Sequence, residues 1–341
     1  MPLSHASRAR SGVAFLLERQ GEDGLWRDFK TVAGESADWV TGYVGRSLQR
    51  AGAPRSALSR AAGALLERQR PDGGWGYHEG VPTDADSTAY VSIFLATGGW
   101  MPPEAAARAL ACLERHQRQP DGGVADWADA EEIREYTGVP ATVSFRGWCG
   151  PHVEVSAAAG LAALALGDRG RRAALGAWRF LQPRQQPSGQ WEPYWWTLPH
   201  YSTSIAVAFA SALPAARCAG EGVRRAVGWA RAAQAADGAW SMGEPSLASA
   251  FATALGVSIL ATGGAPKADV ERGVKALLDS GDDDGGWPSL PVLRIPPAHV
   301  EEPADVEQWR VGELGWGVVI ADHHRLYTTA TAIGALADAG Q

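Results

Sequence analysis

The chain has 341 residues, 45% apolar and 20% charged, with 38 acidic against 31 basic side chains for a net charge of -7. That is the balance of a soluble globular protein, and with no basic run or stripe it excludes a phosphate-tracking nucleic-acid surface. Fifteen Trp beside only 7 Phe and 7 Tyr is the compositional oddity, and something in the fold must need indoles.

In chain order, one phrase recurs six times. It runs as Phe15-Leu-Leu-Glu-Arg-Gln20 to Asp23-Gly-Leu-Trp26, Leu65-Leu-Glu-Arg-Gln69 to Asp72-Gly-Gly-Trp75, and Cys112-Leu-Glu-Arg-His116 to Asp121-Gly-Gly123. The later copies are Phe180-Leu-Gln182 to Ser188-Gly-Gln-Trp191, Trp229-Ala-Arg-Ala-Ala-Gln234 to Asp237-Gly-Ala-Trp240, and Val274-Lys-Ala-Leu-Leu278 to Asp284-Gly-Gly-Trp287. Each closes an amphipathic helical pattern, and its Gly supplies the positive φ of a C-terminal cap.

After each phrase a variable loop leads to a second helix rich in small residues, over 37–50, 84–97, 152–166, 200–213, 246–262 and 323–338. These are apolar nearly all round, so each must be buried on every side. Six polar-faced helices alternating with six apolar ones predict an all-α fold, an (α/α)6 toroid of two concentric rings. It uses 1–341 as a single domain, with repeats at about 8–52, 53–99, 102–167, 168–214, 220–264 and 266–341. The inner-helix N-termini then converge on one mouth, the default place for a site. An open α-solenoid that binds a partner protein is the alternative, and the lack of polar capping repeats favours closure over it.

These Gln…Asp-Gly-Gly-Trp phrases resemble the QW repeats of the squalene-hopene and oxidosqualene cyclase family, and more distantly the β-subunits of protein prenyltransferases. The segment Asp84-Ala-Asp86-Ser-Thr88-Ala89 is similar to that family's acid motif, Asp-x-Asp-Asp-Thr-Ala in the hopene branch and x-x-Asp-Cys-Thr-Ala in the other. Spacing agrees onward through the long loop from Asp126 to Gly150, Glu154-Val-Ser156-Ala157, and Trp191 to Trp196. The resemblance covers nearly the whole chain but one of the two helical domains of those enzymes. It implies a monodomain class II terpene cyclase, which starts cyclisation of a linear isoprenoid or meroterpenoid polyene by protonation, uses no cofactor and takes Asp86 as general acid. Ser87 stands where the hopene branch has its last acid, and Ala158 where it has the histidine partner of the acid. His152 and Glu154 are the nearest replacements in chain order. Those two departures keep a second reading open, a non-catalytic isoprenoid-binding or protein-interaction toroid.

The residues themselves carry the same chemistry. A carboxyl among apolar walls has a raised pKa, and two neighbouring carboxyls resist joint ionisation, so Asp86 is the candidate donor and Asp84 its tuning partner. The competing reading is structural, since Thr83-x-x-Asp86 has the form of a capping box and acids favour helix N-termini. Carbocations need aromatic faces rather than nucleophiles. Trp39, Tyr43, Trp148, Trp195, Trp196, Tyr201, Phe251 and Tyr327 lie at or near inner-helix starts, and with Tyr90, His152 and Glu154 they form the candidate substrate-binding set. Each aromatic also has a plain core reading, and the turn indoles Trp26, Trp75, Trp191, Trp240 and Trp287 read as structural.

No metal is expected. Asp282-Asp-Asp284 is in register with the solvated turn at Asp72, and Leu110, Gly147 and Ala216 stand where a prenyltransferase Asp-x-Cys zinc site needs Asp. His323-His324, as helix neighbours, would point apart, and no Gly-rich turn is followed by Lys-Ser/Thr. Three cysteines at unrelated spacings, Cys112, Cys149 and Cys218, suit a reducing compartment, so a cytoplasmic location is expected. Met1 to Arg10 has no apolar core of a signal peptide, and Ser246 to Gly264, rich in Ala, Ser, Thr and Gly, reads as a buried helix. The expected partner is a hydrophobic isoprenoid small molecule, with weak peripheral membrane contact at most.

Overall fold

The computed structural model describes residues 5–137, 139–213, 216–242 and 247–340, except the side chains of 5, 6 and 216–219. Outer and inner helices alternate along it: α1 (His5–Glu18) and α2 (Asp38–Arg50), α3 (Arg55–Glu67) and α4 (Ala85–Thr97), then α5 (Pro103–His116). A short α6 (Ala130–Thr137) follows, before α7 (Val153–Ala165), α8 (Arg171–Leu181), α9 (Pro199–Ala212), α10 (Ala216–Ala233), α11 (Ala250–Thr262), α12 (Lys267–Asp279) and α13 (Leu326–Ala339). The predicted start of the fifth inner helix, Ser246, lies outside the described residues, and the last inner helix begins at Leu326 rather than 323. The side chain of Cys218 also lies outside them, whereas Cys112 and Cys149 are free thiols.

The inner helices form the small ring because Ala and Gly let their backbones approach; a Cβ at Gly42 of α2 would sit 2.7 Å from the backbone nitrogen of Val91 in α4. α2 packs on α4, α4 on α7, α7 on α9, α9 on α11, α11 on α13, and α13 returns to α2. The ring is therefore closed, which rules out the open solenoid. Among the described residues no helix is long and apolar enough to cross a membrane.

The repeated turns stitch the outer ring. In each Trp-bearing turn the indole Nε1 donates to the carbonyl ten residues back, as Trp75 does to Leu65 (2.7 Å) and Trp240 to Ala230 (2.9 Å). A hydroxyl of the following inner helix receives the turn's backbone N–H: Thr41, Thr88, Thr203, Thr253 and Thr329 serve Trp26, Trp75, Trp191, Trp240 and Trp287, and Ser156 serves Val124 in the third turn, which has no Trp. A glutamine side chain then bridges to the next outer helix. Gln69 Nε2, for example, donates to Gly73 O (2.9 Å) within its own turn and to Ala105 O (3.0 Å) of α5. Gln20, Gln117, Gln185 and Gln234 repeat this. In the fourth turn the glutamine is Gln185 and not Gln182, because a 3-10 turn, Gln182–Arg184, lengthens the helix end. The joint from α12 to α1 has no glutamine; there Arg8 Nη1 donates to Asp282 O at 2.6 Å.

Short strands shape the loops that lead into inner helices. β1 (Asp28–Thr31) and β2 (Gly34–Ser36) form a hairpin before α2, β3 (Trp75–Gly76) pairs antiparallel with β4 (Thr83–Asp84) before α4, and β5 (Leu293–Ile295), β6 (Arg310–Val311) and β7 (Val318–Ile320) form a sheet of order β5-β7-β6 before α13.

Candidate active site

The β3–β4 pairing sets Trp75 opposite Asp84 and so fixes where α4 begins. Asp84 is the N-cap: its carboxylate accepts from the backbone N–H of Ser87 (2.6 Å) and from the Ser87 hydroxyl (2.8 Å). The cap is thus Asp84-x-x-Ser87, which corrects the capping box read at Thr83-x-x-Asp86; the Thr83 hydroxyl has no partner. Because Asp84 does the capping, Asp86 in the first turn is left free to line the central cavity.

That cavity has a volume of about 320 Å³. Asp84, Asp86 and Asp126 stand in one part of its wall, and indoles make up much of the rest. The Oδ1 of Asp86 is buried with no hydrogen-bond partner, and its backbone N–H donates to Asp126 Oδ1 at 3.2 Å. Burial, then the neighbouring Asp84 and Glu154 carboxyls, hold the Asp86 pKa well above the carboxylate range, while the Trp39 indole beside it works the other way. Burial likewise drives Asp126 well up, with Asp84 and Asp86 adding to it. Burial raises Asp84 to about 7 against the two bonds from Ser87.

Asp126 was noted in the sequence only as the start of a loop; no helical register marks it, and only its burial against Asp86 shows its importance. The same loop folds into α6, which the sequence reading missed, and Ile133, Tyr136 and Thr137 of that helix line the cavity.

Of the candidate aromatics, Trp39, Trp148, Trp195 and Trp196 line the cavity. Trp127 and Trp316 join them, with Trp148 lying 5.4 Å, 5.8 Å and 5.4 Å from Trp127, Trp195 and Trp316 between ring centroids. Both additions were detectable as indoles outside the repeat turns. Tyr43, Tyr90, Tyr201, Phe251 and Tyr327 sit one layer deeper and form a floor rather than a wall. Trp196 stacks on Tyr201 at 3.9 Å, and Tyr43 stacks on Tyr327 at 3.7 Å. Hydroxyls tie the layer together, Tyr90 to Tyr201 (2.7 Å), Tyr201 to Tyr327 (2.8 Å) and Tyr43 to Thr331 (2.8 Å). Phe29 is buried beneath Trp39 with φ of 51°, a left-handed conformation unusual for an aromatic residue. Behind the floor lies a second cavity of about 70 Å³ that Tyr43, Tyr90 and Tyr201 line from the far side, with Arg46 and the Arg50–Asp338 pair. The turn indoles Trp26, Trp75, Trp191, Trp240 and Trp287 are buried in the joints described above.

His152 and Glu154 do not line the cavity. The His152 Nε2 bonds the Gly147 carbonyl (2.9 Å) and the ring lies 3.7 Å from Tyr194, while burial pushes its pKa down to about 3, so it is a neutral imidazole. Glu154 Oε1 accepts the backbone N–H groups of Tyr194 and Trp195, both at 2.7 Å, and so fixes where the Trp195 ring stands. Asp282 and Asp284 form ion pairs with Arg325 in the sixth turn.

The model of the squalene-hopene cyclase C-terminal domain matches residues 151–292. The type II terpene cyclase MstE from Scytonema is 34% identical with a TM-score of 0.89, covering 99% of each chain. Its complex with geranylgeranyl dihydroxybenzoate, in a variant form, gives 33% and 0.88 over 98% of this chain and 97% of that one. A drimenyl diphosphate synthase from Streptantibioticus cattleyicolor is 31% identical over 240 residues, 67% of this chain and 41% of its own. The chain spans less than half the length of the curated synthases it matches. This protein belongs to the type II terpene cyclase family, built on the squalene-hopene cyclase type of helical toroid.

Proposed function

We propose that the chain cyclises a linear polyprenyl substrate by protonation, with Asp86 as the general acid and Asp84 as its tuning partner. The observation that carries this reading is a half-buried carboxyl, its Oδ1 enclosed without a partner and its pKa raised by desolvation and the neighbouring acids, in the wall of an indole-lined cavity. Asp86 gives its proton to one carbon of a double bond, leaving a cation on the next; the π electrons of further double bonds close the rings. The last cation loses a proton or takes up water, and solvent returns a proton to Asp86. The Trp39 indole lies beside the carboxylate so formed, and the faces of Trp39, Trp148, Trp195 and Trp196 stabilise the cations by cation–π attraction of about 0.5–2 kcal/mol each. Asp126, as a third acid against Asp86, helps keep the cluster protonated. His152 and Glu154 act on the cavity indirectly, Glu154 by positioning Trp195.

The substrate is a meroterpenoid or other polyprenyl chain with no diphosphate. Among the described residues no Lys or Arg lines the cavity to receive one, and the Scytonema relative is named in complex with a prenylated dihydroxybenzoate. Unpaired Cys112 and Cys149 support a cytoplasmic setting.

Purified protein incubated with farnesyl and geranylgeranyl diphosphates and with prenylated hydroxybenzoates is expected to give cyclised products from the prenylated aromatics, of unchanged mass where the last cation loses a proton and one water heavier where it takes up water. Asp86→Asn, checked as folded by circular dichroism, should lose about 10²- to 10⁴-fold in rate. Product formed equally well by that variant would remove the acid from Asp86.

A further inference from the structure

We propose that Glu35, His323 and His324 bind one divalent transition-metal ion, of the zinc class, on the β1–β2 hairpin beside the start of α13. As neighbours the two histidines were expected to point apart. They precede α13 instead, and Arg325 after them adopts a left-handed conformation (φ 60°) as its N-cap. Their rings come to 4.0 Å between centroids, and both direct Nε2 at one carboxylate oxygen, Glu35 Oε1, His323 from 2.8 Å and His324 from 3.3 Å.

A buried acid behind one of the rings sets this arrangement apart from a surface ion pair. Asp28 is fully buried, and its carboxylate already accepts backbone N–H groups from Phe29, His324 and Leu326. His323 Nδ1 lies 3.2 Å from Asp28 Oδ1. A buried carboxylate behind the Nδ1 of a ligating histidine is the support that metal-bound imidazoles have. The three ligand atoms lie within 4.8 Å of one another. Small rotations of these partly exposed side chains bring them to the distances of about 2.0–2.2 Å that zinc takes from nitrogen and oxygen, with water completing the tetrahedron. Two imidazoles and one carboxylate select such an ion over calcium or magnesium, and the absence of thiolate sets the site apart from that of the prenyltransferases.

Bound there, the ion would pin the hairpin whose Val32 and Ala33 line the cavity to the helix that carries Tyr327. The test uses the whole chain without substrate, so its result is independent of the cyclase reading. Protein stripped with a chelator is titrated with Zn²⁺ by calorimetry and with Co²⁺ by visible absorption. One ion per chain is expected, with the d–d bands of tetrahedral cobalt, and His323→Ala or Glu35→Gln should each weaken binding at least tenfold. Wild-type affinity no tighter than that of a His323→Ala/His324→Ala variant would overturn the site. Hydrogen exchange across residues 30–35 should slow on adding Zn²⁺, and an unchanged rate with metal bound would overturn the pinning.

Discussion

Asp84 and Asp86 stand two positions apart and do different work, because the first residue closes the helix end and the second falls inside the ring. The pair was legible in the sequence, through their spacing and the apolar helix behind them. Which of the two caps was not legible, since that depended on the hydroxyl of Ser87. Asp126 was hidden for a plainer reason: a loop residue reaches a site by tertiary folding, and no period announces it. Asp84 offers a test by pH. Its folded pKa of about 7 exceeds the usual 3.8, so between these values the folded protein holds a proton that the unfolded chain has lost. Its contribution is therefore greatest below about pH 4, declines as pH rises and levels off above about 7. Asp84→Asn keeps an oxygen to cap Ser87 but cannot titrate, so urea midpoints measured from pH 4 to 8 should decline less steeply than in the wild type. An equal slope would count against a raised Asp84. Cyclisation should likewise fail as pH climbs through the elevated range of Asp86, since only its acid form can donate.

Among the elements, the Asp-Gly-Trp turns were the most readable because each combines a backbone requirement with a packing one. Gly73 has φ of 95°, and a Cβ there would run into the Arg108 carbonyl of α5, so both the conformation and the close approach exclude a side chain. The Gln69 fork is the next constraint on the same joint. Gln69→Ala removes two hydrogen bonds to buried or half-buried carbonyls and should cost about 1–3 kcal/mol, read as a lower thermal midpoint; Gly73→Ala should cost more. A Gln69→Ala midpoint equal to the wild type would show that water replaces the fork. What sequence could not supply at this scale was α6, whose eight residues lie in a polar loop with Ile133 as their one buried side chain. Likewise the 3-10 extension that moves the fourth fork to Gln185 leaves no compositional trace.

For the molecule as a whole, closure of the inner ring and a single aromatic layer across it divide the interior into two spaces of unequal size. Tyr327 is the centre of that layer, fully buried against Trp39, Tyr43 and Trp196. On the proposed reading, Tyr327→Ala should join the two spaces and shift preference toward longer polyprenyl chains, at about 3–5 kcal/mol of stability for the lost ring. Competition between farnesyl- and geranylgeranyl-bearing substrates measures this, and an unchanged ratio in a folded variant would mean that the floor does not set length. The joint between α12 and α1 has a different consequence. A linear array of repeats loosens from its two terminal units inward, but a hoop offers no such units and must first part at its weakest clasp. Five clasps here are glutamine forks, and the sixth instead joins Arg8 to the Asp282 carbonyl, with an ion pair of Arg19 and Asp284 at 3.9 Å between half-exposed side chains. Amides along α1 should therefore lose protection first under mild denaturant, and a Gln in place of Gly281, six residues before Trp287 as Gln69 is before Trp75 and in the space the Arg8 side chain now fills, would be the natural way to make the hoop uniform.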